Sequence, residues 1–195
     1  MNTAFYSVCT FVYGLYSAIV HPFEVRGAEN VPPEGKVIVC ANHQSAQDPM
    51  VLATYIKRKI HFMAKKEVFS VKLFAKVISA LGAFPVARGE NDLAAIRTCF
   101  KLLNENKALG IFPEGKRFSD GEMHAAQNGV SMIALRTGAA VIPAYIEGSY
   151  KPFRKMRLVV GKPVDLSDLG GKCDAQTLNT CSTRIRDAIM ALREG

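Results

Sequence analysis

The fold of this chain is decided by the stretch VIVCANHQSAQDP, residues 37–49. Its five leading apolar residues are typical of a buried strand, and Pro49 at its end favours the first turn of a helix. We therefore predict a strand, a short polar loop and a helix over residues 49–58, with Asp48 as the N-cap of that helix. A strand that continues into a helix through such a loop indicates an α/β protein.

Two residues of this loop carry chemistry. His43 and Asp48 lie five positions apart, and on a continuous helix they would point about 140° away from each other. They can pair only if the loop folds back on itself, and the imidazole is then a general base oriented by a carboxylate. In the ordinary alternative, Asp48 only caps the helix and His43 is a loop residue without a chemical role.

A second loop combines a carboxylate with adjacent cations. The apolar run 108–112 is broken by Pro113, and the residues Glu114-Gly115-Lys116-Arg117 follow. Two neighbouring cations suit a phosphate, and Arg117 can bind two of its oxygens at once. The segment lacks the Gly-x4-Gly-Lys-Ser/Thr pattern of a P-loop. The ordinary alternative is a solvated basic turn with a local ion pair.

Two further segments are weaker. Residues 82–88 are strand-like and end on Arg88, and residues 141–146 form an apolar strand interrupted by Pro143. Proline is poorly tolerated in a central strand, so Pro143 predicts a bulge or a strand end near a site. Each of these segments alone is explained as well by structure as by function.

In this order, the four segments resemble the glycerolipid acyltransferase family over roughly residues 22–162. The family's first block, Asn-His-x-Ser-x-x-Asp-Pro, is matched without a gap, as is its third block, Phe-Pro-Glu-Gly-x-Arg. Lys65-Lys66-Glu67 is similar to a Lys-x-Glu element between the first two blocks. The chain departs from the family where Phe118 separates Arg117 from Ser119, and where Gln127 replaces a frequent lysine.

The resemblance implies an acyl transfer. His43 would remove the proton of an acceptor hydroxyl, Asp48 would orient the imidazole, and the alkoxide would attack the thioester of acyl-coenzyme A or acyl-carrier protein. No acyl-enzyme, metal or cofactor would be needed. The resemblance further implies an acceptor-binding set whose cations meet a phosphate: Lys65, Arg88, Glu114, Gly115, Lys116 and Arg117.

The expected reaction is acylation of the sn-2 hydroxyl of 1-acyl-glycerol-3-phosphate, which gives phosphatidic acid. Alternative acceptors are glycerol-3-phosphate and other lysophospholipids. A non-catalytic lipid-binding protein on the same scaffold is a further alternative, against which the intact His43 and Asp48 argue.

Other chemistries fit less well. The sequence has no Gly-x-Ser-x-Gly elbow of a serine hydrolase, and its four histidines form no metal-ligand pair. Its five cysteines are scattered without a Cys-x-x-Cys motif. This cysteine usage predicts a reducing compartment.

The charge of the chain points to anionic partners. Its 195 residues carry a formal net charge of +8, with 25 Lys and Arg against 17 Asp and Glu. Nucleic acid is possible on charge alone, but no motif interleaves basic with aromatic residues. An anionic membrane surface, an anionic acyl donor and a lysophospholipid acceptor are the partners we predict.

The first twenty residues form a separate apolar segment. Residues 3–20 contain no charged residue. Small or weakly polar residues recur at spacings that form one stripe of a helix, namely Thr3, Ser7, Thr10, Gly14 and Ser17. Such a helix packs its small stripe on protein and offers bulky side chains to lipid. We predict a membrane anchor over residues 1–21 that lies in the plane of the bilayer or inserts partly into it. The alternatives are a helix that spans the bilayer and a buried core helix. An acyltransferase domain follows over residues 22–195, and the protein is expected on the cytoplasmic face of the cell membrane.

The remaining pattern alternates strands with helices. We predict strands at 23–27, 37–41, 60–64, 83–86, 108–112, 140–145 and 156–160, and helices at 71–81, 91–106, 129–137 and 183–193, with a surface loop over 162–177. This order predicts a single α/β domain whose mostly parallel or mixed sheet is covered by helices. Both motif loops follow the carboxyl ends of strands, where such sheets build their sites.

Overall fold

A computed structural model describes residues 1–87, 92–118, 123 and 128–193 of the chain. Within them, seven strands form one sheet in the order β1-β7-β6-β2-β5-β3-β4. The strands are β1 (Phe23–Arg26), β2 (Val37–Ala41), β3 (Ile60–Lys65), β4 (Ala83–Val86), β5 (Ala108–Ile111), β6 (Ala140–Glu147) and β7 (Met156–Val160).

Strand β2 lies at the centre of the sheet. It pairs in parallel with β5 on one side and with β6 on the other, so that Val37 is opposite Ala108 and Ala140. All five of its residues are buried, because a parallel strand covered by helices on both faces reads as a continuous apolar run. The pairing of β6 with β7 is antiparallel, so the sheet is mixed.

The helices cover both faces of the sheet. They are α1 (Thr3–Val20), α2 (Asp48–Tyr55), α3 (Lys72–Ala80), α4 (Leu93–Asn104), α5 (Asn128–Thr137) and α6 (Ala175–Ala191). The connections β2-α2-β3 and β3-α3-β4 advance along the sheet in one direction, and β4-α4-β5 and β5-α5-β6 return. Right-handed crossovers therefore place α2 and α3 on one face and α4 and α5 on the other.

The two faces carry separate apolar cores. One core joins side chains of α1 and α2 to the sheet, and Leu81 at the end of α3 packs against it. The other joins α4, α5 and α6, with Cys99, Ile133 and Ile185 among its buried members. The predicted α/β fold with one mixed sheet and an apolar N-terminal helix is confirmed.

Three predictions about helix ends are wrong. The helix after the loop of His43 ends at Tyr55 instead of residue 58, and its N-cap is Gln47 instead of Asp48. The last helix begins at Ala175, eight residues before the predicted start, because the Asp174 carboxylate accepts the amide of Thr177 and caps an earlier turn. The predicted loop over 162–177 is therefore shorter.

Pro143 does not produce the predicted bulge or strand end, because β6 continues through it to Glu147. Its carbonyl accepts the amide of Gly161, which follows the last residue of β7. Proline cannot donate the reciprocal bond, and the β6–β7 ladder accordingly ends at the neighbouring pair of Ala144 and Val160.

Helix α1 packs on α2 through one side. The Ser17 hydroxyl lies 2.6 Å from that of Tyr55, and the Thr54 hydroxyl donates to the carbonyl of Thr10. The small stripe thus faces protein as predicted at Thr10 and Ser17, but Tyr6 also points inward and is 5% exposed. Within the described part of the chain, α1 is the one helix long and apolar enough to cross a bilayer, and 11% of it is buried.

Candidate active site

The loop between β2 and α2 folds back as its spacing requires. His43 and Asp48 meet at 2.8 Å between Nδ1 and Oδ2. The His43 side chain is 10% exposed and that of Asp48 is fully buried. Because a carboxylate only accepts hydrogen bonds, this contact places the imidazole proton on Nδ1 and leaves Nε2 with a free lone pair. The catalytic roles assigned to the two residues remain predictions.

The Asp48 carboxylate is held from several directions. Its Oδ2 also accepts the backbone amides of Gln44 and Ser45, each at 2.7 Å. Its Oδ1 accepts the hydroxyl of Tyr150 at 2.6 Å. These bonds explain why Asp48 is no N-cap: its side chain reaches back into the loop that precedes the helix. Together they give both oxygens of this fully buried carboxylate a hydrogen-bond donor.

The Tyr150 hydroxyl stays a donor over a wide pH range. Burial raises the pKa of Tyr150, and the neighbouring Asp48 charge raises it further. A negative phenolate facing a buried carboxylate would be repelled, so the neutral form is favoured. The Tyr150 hydroxyl therefore still donates to Asp48 at alkaline pH.

The face of the His43 ring is covered by aromatic side chains. Phe112 stacks on the imidazole with 4.0 Å between ring centroids and 18° between planes. Phe62 continues the stack, 6.2 Å from Phe112. Phe62 in turn occupies the space over Gly110, where a Cβ atom would lie 2.1 Å from its ring. The stack and the Nδ1 bond together fix the orientation of the imidazole.

The second motif loop supports the backbone of His43. The Glu114 carboxylate accepts the amide of His43 at 3.0 Å, and the amide of Phe118 donates to the His43 carbonyl at 2.8 Å. Glu114 is 5% exposed, and the contact described for this predicted acceptor-binding residue is with the loop of His43. Phe118, the residue that departs from the family pattern, takes part in the same support.

The cations of this loop are exposed beside the dyad. Lys116 lies over the ring of Phe118, with Nζ 4.8 Å from the centroid, and Arg117 is exposed next to it. Gly115 has a φ of +69°, a conformation that glycine adopts without strain. This turn brings both cations to the carboxyl end of β5, next to the loop of His43, where a phosphate can reach them.

Two predicted acceptor-binding residues remain. One lies further along the carboxyl edge of the sheet, and the other lies outside the described part of the chain. Lys65 ends β3, two strand positions from β2. Its ammonium pairs with Glu67 at 3.2 Å. Arg88 lies outside the residues that the structure describes. Acceptor binding by both stays a prediction.

Sequence reasoning missed Tyr150 and the structural role of Asn42. The Asn42 amide bonds both the N–H and the carbonyl of Ile146, which ties the end of β2 to β6. Asn42 is the first residue of the first motif, so its position there could have indicated a structural role. Tyr150 is 102 positions from Asp48, in a loop without any motif, and only the path of β6 brings it there.

The part of the chain that the structure describes has no group of side chains that could bind a metal ion together. Across residues 1–87, 92–118, 123 and 128–193, no group of three or more His, Cys, Asp or Glu side chains is placed to hold a metal ion. The expectation of a metal-free and cofactor-free reaction stays a prediction.

Comparisons with known proteins agree with this geometry. A family model described as acyltransferase matches residues 22–147. The chain is 32% identical to the 1-acyl-sn-glycerol-3-phosphate acyltransferase of Bacillus subtilis over 74% of this chain and 75% of that protein. It is 26% identical to the chloroplast enzyme LPAT1 of Arabidopsis thaliana, covering 84% of this chain and 49% of that one.

A solved structure extends the likeness to the fold. The crystal structure of the 1-acyl-sn-glycerophosphate acyltransferase PlsC from Thermotoga maritima superposes with a TM-score of 0.77 at 25% identity. The alignment covers 97% of this chain and 78% of that one. The resemblance predicted from the four motifs is confirmed.

Proposed function

This chain belongs to the acyltransferase family, and we propose that it transfers an acyl group from a thioester to the sn-2 hydroxyl of 1-acyl-glycerol-3-phosphate, forming phosphatidic acid. The observation that carries the proposal is the 2.8 Å bond between His43 Nδ1 and Asp48. It leaves Nε2 as the one basic atom of a buried ring at the carboxyl edge of the sheet.

The proposed reaction begins at the imidazole of His43. Nε2 takes the proton of the acceptor hydroxyl as its oxygen attacks the thioester carbon, and Asp48 stabilises the imidazolium. The carbon–sulfur bond of the tetrahedral intermediate then breaks. The thiolate leaves and accepts the proton from Nε2, so the base is regenerated and a free thiol is released. The acceptor oxygen is itself the nucleophile, so no acyl-enzyme forms.

Lys116 and Arg117 are the proposed phosphate ligands. Both are exposed beside the catalytic loop, and the planar guanidinium of Arg117 matches two phosphate oxygens. Lys65 and Arg88 are proposed as further cations of the acceptor site, in line with the family motifs. Glu114 and Gly115 serve the site by holding the loop: one bonds the amide of His43, the other makes the turn.

The donor is proposed to be acyl-coenzyme A or acyl-carrier protein, with no cofactor or metal. Both donors are anionic, and the net charge of +8 favours them and an anionic membrane over a neutral surface. Nucleic acid is not among the proposed partners.

We propose that α1 lies in the membrane plane, because its exposed side carries Phe11 and Ile19, which are 67% and 71% exposed. The free cysteines favour the cytoplasmic face.

The test is thiol release from oleoyl-coenzyme A and from oleoyl-acyl-carrier protein. Each is measured with and without 1-oleoyl-glycerol-3-phosphate, for the wild type and His43→Ala. General-base help is worth about 10²–10⁴-fold, so His43→Ala is expected to lose at least ~10²-fold in rate.

The outcomes separate the alternatives. Release that needs both the acceptor and His43 supports the proposal. Release without acceptor indicates a thioesterase. Release only with glycerol-3-phosphate or a larger lysophospholipid shows that this compound, and not 1-acyl-glycerol-3-phosphate, is the acceptor. No release with any acceptor contradicts an acyltransferase role for this chain.

A further inference from the structure

Helix α3 exposes an apolar edge that the proposed chemistry does not use. None of its nine residues is buried. Leu73 is 76% exposed, Phe74 48% and Val77 36%, and Val71 before the helix is 62% exposed. Leu73 and Val77 lie one helical turn apart with Phe74 beside them, so the three side chains form one continuous edge.

Lysines border this apolar edge. Lys72 and Lys76 are exposed and lie one turn apart, each a step of about 100° or less from Leu73 around the helix. The segment KLFAKVISA contains no acidic residue. Before it, Lys65 ends β3 and pairs with Glu67, and Lys66 follows directly. Exposed apolar side chains flanked by lysines are the composition of a helix that lies in a membrane interface, where lysines reach up to lipid phosphates.

The position of α3 next to α1 indicates that its apolar edge contacts a membrane. The crossovers place α3 on the same face of the sheet as α2, and α1 packs on α2. The start of α1 contacts the end of α3, since the amide of Asn2 donates to the carbonyl of Ala80 at 2.9 Å. The two helices that expose apolar side chains are therefore in contact on this face of the sheet.

We propose that α3 is a second membrane-contact segment, whose Leu73, Phe74 and Val77 enter the boundary of an anionic bilayer while Lys72 and Lys76 bind lipid phosphates. The proposal goes beyond an anchor formed by α1 alone and does not depend on which lysophospholipid is acylated. Two segments fix the orientation of the domain, which one helix lying in the plane would leave free to roll.

The resulting orientation suits the site. The lysine-rich beginning of α3 follows the carboxyl end of β3, and β3, β5 and β2 run parallel. It therefore lies at the same edge of the sheet as the loop of His43. Contact through this end brings the catalytic edge to the lipid phosphates.

The test uses the full chain and compares phosphatidylcholine vesicles with and without phosphatidylglycerol. One variant removes the apolar edge, Leu73→Ser with Phe74→Ser, and a second removes the charge, Lys72→Gln with Lys76→Gln. The matched controls are Leu93→Ser, which is 61% exposed at the start of α4 on the other face, and Lys162→Gln with Lys172→Gln in the loop before α6.

The lysine pair is expected to lower binding to anionic vesicles by about tenfold or more and to leave binding to neutral vesicles unchanged. The apolar pair is expected to lower binding to both vesicle types. The controls are expected to bind like the wild type. Thermal unfolding of every variant shows that the fold is retained.

Turnover of a short-chain, water-soluble 1-acyl-glycerol-3-phosphate separates this proposal from the proposed function, because it is expected to be unchanged in the α3 variants. Vesicle binding equal to that of the controls overturns the proposal. If binding is unchanged and only the KM for acyl-carrier protein rises, α3 docks the acidic carrier protein instead.

Discussion

The two parts of the candidate site are held in opposite ways. His43 and Asp48 are buried, and every polar atom of the Asp48 carboxylate has a donor from the protein. Lys116 and Arg117 project from a turn into solvent. Under the proposed function, this difference separates two tasks: the protein would fix the base before substrate arrives, while the cations would adopt their final positions around a phosphate. Changes at the first part should therefore act on kcat, and changes at the second on KM.

The largest effect in this comparison is expected from Asp48→Asn. The amide keeps the size of the side chain but removes the charge that stabilises the imidazolium, so we expect kcat to fall about 10³–10⁴-fold. The KM for the acceptor should change little. Single-turnover rates with matched unfolding curves measure this, and a loss smaller than tenfold would show that Asp48 is only structural.

A smaller effect is expected from Tyr150→Phe, which removes the hydroxyl that donates to Asp48 Oδ1 in the described structure. A hydrogen bond to a charged group contributes ~1.5–3 kcal/mol, so kcat should fall by about tenfold or more with an unchanged KM. Because the pKa of Tyr150 is raised, its hydroxyl remains protonated at alkaline pH. The ratio of wild-type to variant kcat should stay constant between about pH 6 and about pH 10.

The matched control is Tyr55→Phe, which removes a tyrosine hydroxyl that bonds Ser17 rather than the dyad. It should retain wild-type kcat on a soluble acceptor. Equal losses in both variants would assign the effect of Tyr150 to general stability.

The smallest effect should come from Arg117→Ala. Loss of one exposed phosphate ligand should raise the KM for the acceptor by about tenfold and leave kcat nearly unchanged. Arg117→Lys should be intermediate, because it keeps the charge but cannot bind two oxygens in one plane. Initial rates over a range of acceptor concentrations measure this, with Arg186→Ala on α6 as the control. An unchanged KM would remove Arg117 from the site.

Local patterns predicted much of this molecule. The apolar run before His43 became the central strand, and both motif loops lie at carboxyl ends of strands because parallel strands share an edge. The dyad was predictable because only a folded-back loop lets residues five apart pair. Strands β4 and β7 have the predicted bounds.

The contacts that support His43 and Asp48 from distant parts of the chain could not be predicted from local patterns. The support of His43 by Glu114 depends on β5 pairing next to β2, and the bond of Tyr150 depends on the return path after β6. Neither has a signal in a local window. The early start of α6 was missed because a capping aspartate stood inside a segment read as a polar loop.

Gly110 extends the active site beyond the residues that meet a substrate. Its missing side chain leaves room for Phe62, which supports Phe112, which in turn supports the imidazole. Gly110→Ala would displace the Phe62 ring and pass that displacement through two aromatic contacts to the base. Substitutions at Gly110, Phe62 or Phe112 are therefore expected to disturb the position of the His43 ring. Under the proposed function, a search for variants with altered turnover has to include Gly110, which reaches the imidazole only through two other aromatic rings.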